Sequence, residues 1–163
     1  MDGADYDLCS HGRLRLTIGG CNVSDGSQEF GISETALALL RTLEADHNRT
    51  HPVADRLVFH GCGLILMMGC PIGIDWIVEH NGTFVDLRDI VVYPTVNESE
   101  AILKHDCTAR VPVTMYRDSV IAFASAVEHF FEEAAPRRIE EDFDRTQYEE
   151  FWQEFRAIFR RQR

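Results

Sequence analysis

The 163-residue sequence predicts an α+β fold: a mostly antiparallel sheet covered by two helices, with a further C-terminal amphipathic helix. Two alternating segments flank an Asn-Gly pair, which is a strong short-range signal for a β-hairpin. Two other segments carry apolar residues at helical spacing, so each has one face for the core. A sheet flanked by such helices is an α+β arrangement.

The chain begins with a predicted strand and a predicted helix. Residues 13–18 alternate as RLRLTI, which indicates a strand with its apolar side chains on one face. Residues 22–31 are rich in turn-forming residues and predict a loop or an irregular hairpin. Ser33 is a suitable N-cap, and the apolar spacing after it predicts a helix over residues 33–46. The polar run 46–52 ends this helix and is expected to be exposed.

Residues 56–93 predict a sheet. The apolar runs 57–59 and 64–68 come first, and the hairpin around Asn81-Gly82 follows. A two-residue turn at this pair makes the residue numbers of cross-strand partners sum to 163. Apolar pairs such as Trp76 and Leu87 then share one face, while the charged residues share the other. The exposed face would carry four residues suited to binding a partner: Asp75 (opposite Arg88), Glu79, Phe84 and Asp86.

The second half of the predicted domain ends in a helix. Residues 97–106 are compatible with either a short helix or a loop. Residues 110–115 predict a last strand, and Pro112 favours an edge position for it because proline has no N–H to donate. A helix with an apolar stripe is predicted over residues 118–134.

Pro136 separates a C-terminal segment, so the predicted units are residues 1–135 and residues 136–163. Thr146 and Glu149 have the spacing of a capping box for its helix. An aromatic stripe follows at helical spacing and is expected to pack on the body, on a partner or in a homodimer: Phe151, Trp152, Phe155 and Phe159.

The net charge of -11 lies in the first unit, because residues 136–163 hold seven acidic and seven basic side chains. This excess of acid argues against nucleic acids and anionic membranes as partners, since both attract lysine and arginine. The N-terminus has neither the basic nor the apolar region of a signal peptide, so we expect a cytoplasmic protein.

Five cysteines, an odd number, together with no visible secretion signal, predict no disulfide framework. His60, Cys62 and Cys70 are residue types that bind zinc, but their spacing matches no zinc motif. Small buried cysteines beside glycines explain the pattern equally well. We therefore predict no metal and no cofactor.

The sequence also contains no motif that predicts a catalytic reaction. Cys62 lies between glycines and could act with a histidine base in a small hydrolase, yet no signature of a cysteine hydrolase surrounds it. Carboxylates on an exposed hairpin face are expected to be solvated rather than catalytic. No glycine-rich phosphate-binding motif is present. Binding to another protein remains, and complementary charge would speed encounter with a basic partner.

Three stretches resemble the small acidic α+β immunity proteins of bacterial toxin–immunity systems: ISETALALLRTLEADH, GCGLILMMGCPIGIDWIVEHNGTFVDL and VPVTMYRDSVIAFASAVEHFF. The resemblance covers roughly residues 13–135. It implies a protein that neutralises a cognate toxin by stoichiometric binding, as a monomer or homodimer, and it implies no catalytic residue. The alternatives from the residues themselves are the hydrolase using Cys62 and a homo-oligomeric module using the aromatic stripe.

Overall fold

The computed structural model describes residues 5–49, 53–60 and 70–163, and its seven strands and three helices there confirm the α+β fold. The strands are β1 (His11–Ile18), β2 (Cys21–Gly31), β3 (Val58–Phe59), β4 (Gly73–Asn81), β5 (Phe84–Tyr93), β6 (Ile102–Lys104) and β7 (Ala109–Pro112). The helices are α1 (Ile32–Arg41), α2 (Val113–Glu133) and α3 (Asp142–Gln162). The predicted strand at residues 64–68 lies outside the described residues.

Every strand pair among the described residues is antiparallel. Strands β1 and β2 form a hairpin, and the remaining strands form a second sheet in the order β3-β4-β5-β6. Strand β7 also pairs with β5, along its first half, while β6 pairs along its second half. The core lies between these sheets and the helices, because the buried faces of β4, β5, α1, α2 and α3 form one apolar cluster.

Of the loop and the irregular hairpin predicted for the turn-rich segment after the first strand, the structure has an irregular hairpin, of which this segment is the second strand. Residues 21–31 form β2, and their pairing with β1 has two register shifts. Local hydrogen bonds accommodate the polar residues: Ser24 Oγ donates to the Leu14 carbonyl at 2.7 Å, and Ser27 N donates to Asp25 Oδ1 at 2.8 Å. Pairing with a neighbouring strand therefore outweighs the local preference for turns.

Helix α1 is shorter than predicted, and its N-cap is Gly31 rather than Ser33. The Ser33 hydroxyl donates to the Cys9 carbonyl instead, at 2.7 Å. At the other end, Thr42 Oγ1 donates to the Leu39 carbonyl at 2.6 Å, and the chain leaves the helix after Arg41. Both hydroxyls thus fix the ends of the helix through backbone carbonyls.

The hairpin register differs from the predicted one by two residues. The turn is Gly82-Thr83, Asn81 pairs with Phe84, and cross-strand partners sum to 165. Gly82 has φ +64°, which suits the type II′ turn that places glycine at its first central position. A shift of two keeps every side chain on its face, so the apolar pattern is compatible with both registers.

A β-bulge on β5 corrects the predicted pairing of Asp75 with Arg88. Ile77 lies opposite Arg88 and Asp75 lies opposite Val91, so one residue of β4 faces two residues of β5. Asp89, in this bulge, has φ +54°, the left-handed conformation that aspartate tolerates better than most residues. Because β5 has one extra residue there, its odd- and even-numbered residues exchange faces beyond the bulge.

The predicted last strand is shorter than expected, because α2 begins at Val113 directly after Pro112. Strand β7 is an edge strand in the described structure, as Pro112 predicted. The ambiguous segment 97–106 contains a 3₁₀ turn at Glu98–Glu100 followed by β6. Pro112 is the N-cap of α2 with extended backbone angles, and the helix begins at the next residue.

Helix α3 packs on α1 and α2. Phe155 and Phe159 are buried, and α3 forms two exposed ion pairs with the α1 region, Arg41 with Glu154 at 2.7 Å and Arg161 with Glu44 at 2.8 Å. The predicted capping box is wrong: α3 begins at Asp142, and Thr146 Oγ1 donates to the Asp142 carbonyl from inside the helix. No helix in the described part of the chain is both long and apolar enough to cross a membrane.

A disulfide joins Cys21 to Cys107, with their Cα atoms 5.4 Å apart, contrary to the prediction of no disulfide. It connects the start of β2 with the segment between β6 and β7. The two cysteines are 86 residues apart in sequence. Only the tertiary structure brings them together, and no local pattern indicates the pair.

Candidate functional site

The outer face of the second sheet gathers three of the four predicted binding residues. We define the outer face by the residues that share the solvent side of β4, β5 and β7: Glu79, Asn81, Phe84, Asp86, Arg88, Arg110 and Pro112. The register aligns Glu79, Asp86 and Arg110 in one cross-strand row. Asn81, Phe84 and Pro112 form the next row. The three predicted residues Glu79, Phe84 and Asp86 are therefore neighbours.

Arginines offset the carboxylates on the outer face. Arg88 Nη2 lies 2.9 Å from Glu79 Oε2, and Arg110 Nε lies 3.7 Å from Asp86 Oδ1. The hydrogen bond to Glu79 raises the pKa of Arg88 above its ordinary value. Exposed pairs of this kind contribute little to stability, so a partner can replace them at small cost. The surface thus offers both signs of charge, and Arg88 pairs with Glu79 instead of the predicted Asp75.

Phe84 is the exposed aromatic residue of the outer face, with 38% of its surface accessible. The guanidinium carbon of Arg110 lies 5.0 Å from the centre of its ring, within cation–π distance. Aromatic and arginine side chains are enriched among the residues that contribute most to protein–protein binding. Phe84 with Arg110 therefore provides an anchor beside ion pairs that a partner can replace.

Asp75 does not belong to this face: it is 3% exposed, and its predicted exposed position is wrong. Its Oδ1 accepts hydrogen bonds from His47 Nε2 at 2.8 Å and from the Leu57 backbone N–H at 3.3 Å. His47 also exchanges two backbone hydrogen bonds with Val78, at 2.9 and 3.0 Å. Asp75 thus anchors the segment after α1, where we expected an exposed loop.

The aromatic stripe is also absent from the surface of this chain. All four residues are buried, and the rings of Trp152 and Phe155 pack against each other, with their centroids 5.0 Å apart. The stripe contacts α2 as well, through Phe131 and Trp152 at 4.7 Å. Of the body, a partner and a homodimer, the structure places Phe151, Trp152, Phe155 and Phe159 on the body.

A buried polar cluster near the N-terminus has no counterpart in the sequence predictions. The Asp7 carboxylate accepts from the backbone N–H groups of Cys9, Ser10 and His11, at 3.2, 3.0 and 2.8 Å. Its Oδ2 also lies 2.9 Å from His11 Nδ1. In a sequence, the signal for such a turn is the aspartate itself, because its side chain accepts hydrogen bonds from backbone N–H groups a few residues further along the chain. Ser10 adopts φ +53° within it.

Glu34 completes this cluster from the first turn of α1. It is 6% exposed, and its Oε2 has no hydrogen-bond partner. Burial raises its pKa to about 8, although a hydrogen bond with Cys9 acts in the opposite direction. Burial also acts to raise the pKa of Asp7, but the hydrogen bonds from His11 and Cys9 outweigh it and leave that pKa below its ordinary value. The cluster is enclosed and joins the N-terminal segment to α1, so we interpret it as structural.

The predicted cysteine and histidine chemistry finds no assembled site in the described structure. Cys62 lies outside the described residues, Cys107 is in the disulfide, and the His60 ring packs on the His11 ring with centroids 5.2 Å apart. Within residues 5–49, 53–60 and 70–163, no three histidine, cysteine or carboxylate side chains form a group that could hold a metal ion.

Comparisons with protein-family models, with curated proteins and with solved structures find no match to this chain.

Proposed function

We propose that the protein binds another protein through the outer face, and that by this binding it neutralises a bacterial toxin in a one-to-one complex. The observation that carries the proposal is the exposed Phe84, which lies within cation–π distance of Arg110 and beside two ion pairs that a partner can replace. The resemblance of residues 13–135 to immunity proteins supplies the toxin as partner. The pairing of β5 with both β4 and β7 supports the proposal, because a surface held by such pairing is pre-organised and loses little conformational entropy on binding.

The first experiment is to truncate the anchor. We expect Phe84→Ala to raise the dissociation constant for the toxin encoded by the neighbouring gene by at least about tenfold, since buried aromatic anchors dominate such interfaces. Phe143→Ala is the matched control: Phe143 is also an exposed phenylalanine, at 66%, but it lies on α3. Isothermal titration measures both variants.

The contribution of the outer-face carboxylates is tested by association kinetics. Reversing charge in the double variant Glu79→Lys/Asp86→Lys should slow association with a basic partner and flatten its salt dependence, because long-range attraction governs the encounter rate. The double variant Glu149→Lys/Glu150→Lys changes the net charge equally on α3 and should slow association less.

Two results would contradict the proposal. One is that the toxin encoded by the neighbouring gene forms no complex with the protein and kills cells that express the protein. The other is a complex whose affinity responds equally to Phe84→Ala and Phe143→Ala, since binding would then lie elsewhere.

A cytoplasmic location belongs to the same proposal. The disulfide between Cys21 and Cys107 is the observation against it, because reducing compartments disfavour disulfides. Trapping thiols in intact source cells and separating the protein on a non-reducing gel tests the location. Free Cys21 and Cys107 thiols support the cytoplasm, and a uniformly oxidised pair contradicts it.

A further inference from the structure

An apolar cavity of about 300 Å³ lies between β1, β7 and α2. Strand and helix side chains form its walls, and the buried Trp76 and Leu87 of the second sheet lie at its base. We call this cavity the edge groove. It is separate from the outer face, because it opens on the core side of the second sheet.

Strand β1 contributes its edge to the groove. Every residue from 14 to 19 lines it, although successive side chains of a strand point to opposite faces. A run of consecutive lining residues therefore means that the backbone edge of β1 borders the cavity. In the described structure, β1 pairs with β2 alone, so this second edge has backbone N–H and C=O groups without a strand partner.

Strand β7 borders the groove from the other side through Ala109 and Val111, and within the described residues it pairs only with β5. The two strands converge at one end, where a side chain at Gly19 would collide with the Thr108 carbonyl. The disulfide between Cys21 and Cys107 holds the same end together. The groove is therefore a gap between two edge strands that is closed at one end.

Helix α2 supplies the apolar wall. Met115, Val120 and Phe123 line the cavity, and Met115 is 61% exposed. The Tyr116 hydroxyl is already engaged with Thr42 Oγ1 at 2.7 Å, so the wall presents carbon to an occupant. A free strand edge facing a helix across an apolar groove is the geometry by which strand-addition domains bind extended peptides.

We propose that an extended segment of a partner protein binds in the edge groove as an additional strand on β1, with alternate apolar side chains packed against α2. The backbone edge favours a peptide over a small apolar molecule, because only a peptide pairs the free N–H and C=O groups as well as filling the cavity. This binding goes beyond the proposed function and uses a different surface.

The test begins with a phage-displayed library of random octapeptides selected on the full-length protein. We expect enriched peptides with apolar residues at every second position, because alternate side chains of a strand share a face. A synthetic peptide of the enriched sequence is then titrated by fluorescence anisotropy. Hydrogen exchange of β1 amides in residues 14–18 should slow when this peptide is bound.

Ser119→Trp places a large side chain in the groove from an exposed position of α2. It should raise the dissociation constant of the peptide at least about tenfold. Asp118→Trp, also exposed and one residue away but not lining the groove, should leave the affinity unchanged. Met115→Asp places a charge at another exposed position of the groove and should also raise the dissociation constant of the peptide. Glu79→Lys/Asp86→Lys should not affect this peptide, which separates the edge groove from the outer face.

Several outcomes would overturn the proposal. One is enrichment of the same peptides on wild-type and Ser119→Trp protein, and another is a bound peptide that leaves the β1 amides unprotected from hydrogen exchange. Enrichment of no alternating sequence counts against it equally. Protection of β1 that rises with protein concentration, without peptide, would assign the edge to a second copy of this chain.

Discussion

Two buried carboxyl groups near the N-terminus, Asp7 and Glu34, have pKa values shifted in opposite directions. Both are almost fully enclosed, so burial alone does not explain the difference. Asp7 accepts four hydrogen bonds from N–H groups, which stabilise its charged form. The Glu34 carboxyl has a hydrogen bond with the Cys9 thiol, but its Oε2 has no hydrogen-bond partner. The neutral form of Glu34 is therefore favoured.

Glu34→Gln should change the pH dependence of stability. Between the ordinary pKa of 4.5 and the folded value of about 8, folded Glu34 keeps a proton that the unfolded chain releases. Its contribution to the free energy of unfolding is thus complete below pH 4.5 and is lost as pH rises to 8, by at most about 1.4 kcal/mol per pH unit.

The uncharged glutamine removes this slope, which urea unfolding at pH 5, 6.5 and 8 would measure. Glu150→Gln, an exposed change on α3, is the control and should keep the wild-type slope. Equal slopes in wild type and Glu34→Gln would show that Glu34 does not titrate differently in the folded state. Asp7 acts in the opposite sense: its contribution is lost as pH falls below 3.8.

Among the structural elements, the β4–β5 hairpin shows how far a sequence pattern determines a register. The Asn-Gly pair correctly predicts a hairpin, and the alternation correctly places Glu79, Phe84 and Asp86 on one face. Neither signal distinguishes a turn at Asn81-Gly82 from one at Gly82-Thr83, since a shift of two preserves the faces. The bulge at Asp89 has no pattern of its own, so the burial of Asp75 was not predictable.

Asn81→Val tests the observed register. In the structure Asn81 is an exposed strand residue paired with Phe84, where a β-branched residue is well accommodated. We expect the free energy of unfolding to change by less than about 0.5 kcal/mol in urea titrations.

The predicted register would instead place residue 81 at a central turn position with positive φ, where valine is strained by about 1–2 kcal/mol. Gly82→Val provides the comparison, because Gly82 has φ +64° and no neighbour that a Cβ would meet. Equal costs at the two positions would contradict the turn at Gly82-Thr83.

At the scale of the whole molecule, two distant contacts hold separate parts of the chain together. The disulfide fastens the β1–β2 hairpin to the second sheet, with which it shares no strand pairing in the described structure. Helix α3 covers α1 and α2 with buried aromatic rings. The disulfide closes a long loop and stabilises the fold by restricting the unfolded chain, whereas α3 stabilises it by burying apolar surface.

Replacing the disulfide in Cys21→Ser/Cys107→Ser should lower the free energy of unfolding by about 2–5 kcal/mol, the range for native disulfides that close long loops. Cys70→Ser is the control, since Cys70 is a free, half-buried cysteine. Urea unfolding with and without reductant measures the effect. If reductant destabilises the double variant as much as the wild type, the stabilisation does not come from this bond.

The α+β class, the hairpin and the amphipathic helices are predictable from the amino-acid sequence, because they depend on residue type and on spacing within a few residues. Only the folded chain shows which of two locally equivalent hairpin registers is adopted. The disulfide, the buried positions of Asp75 and Glu34, and the gap between β1 and β7 depend on contacts between residues far apart in sequence, where the free energy of packing and pairing outweighs local preference.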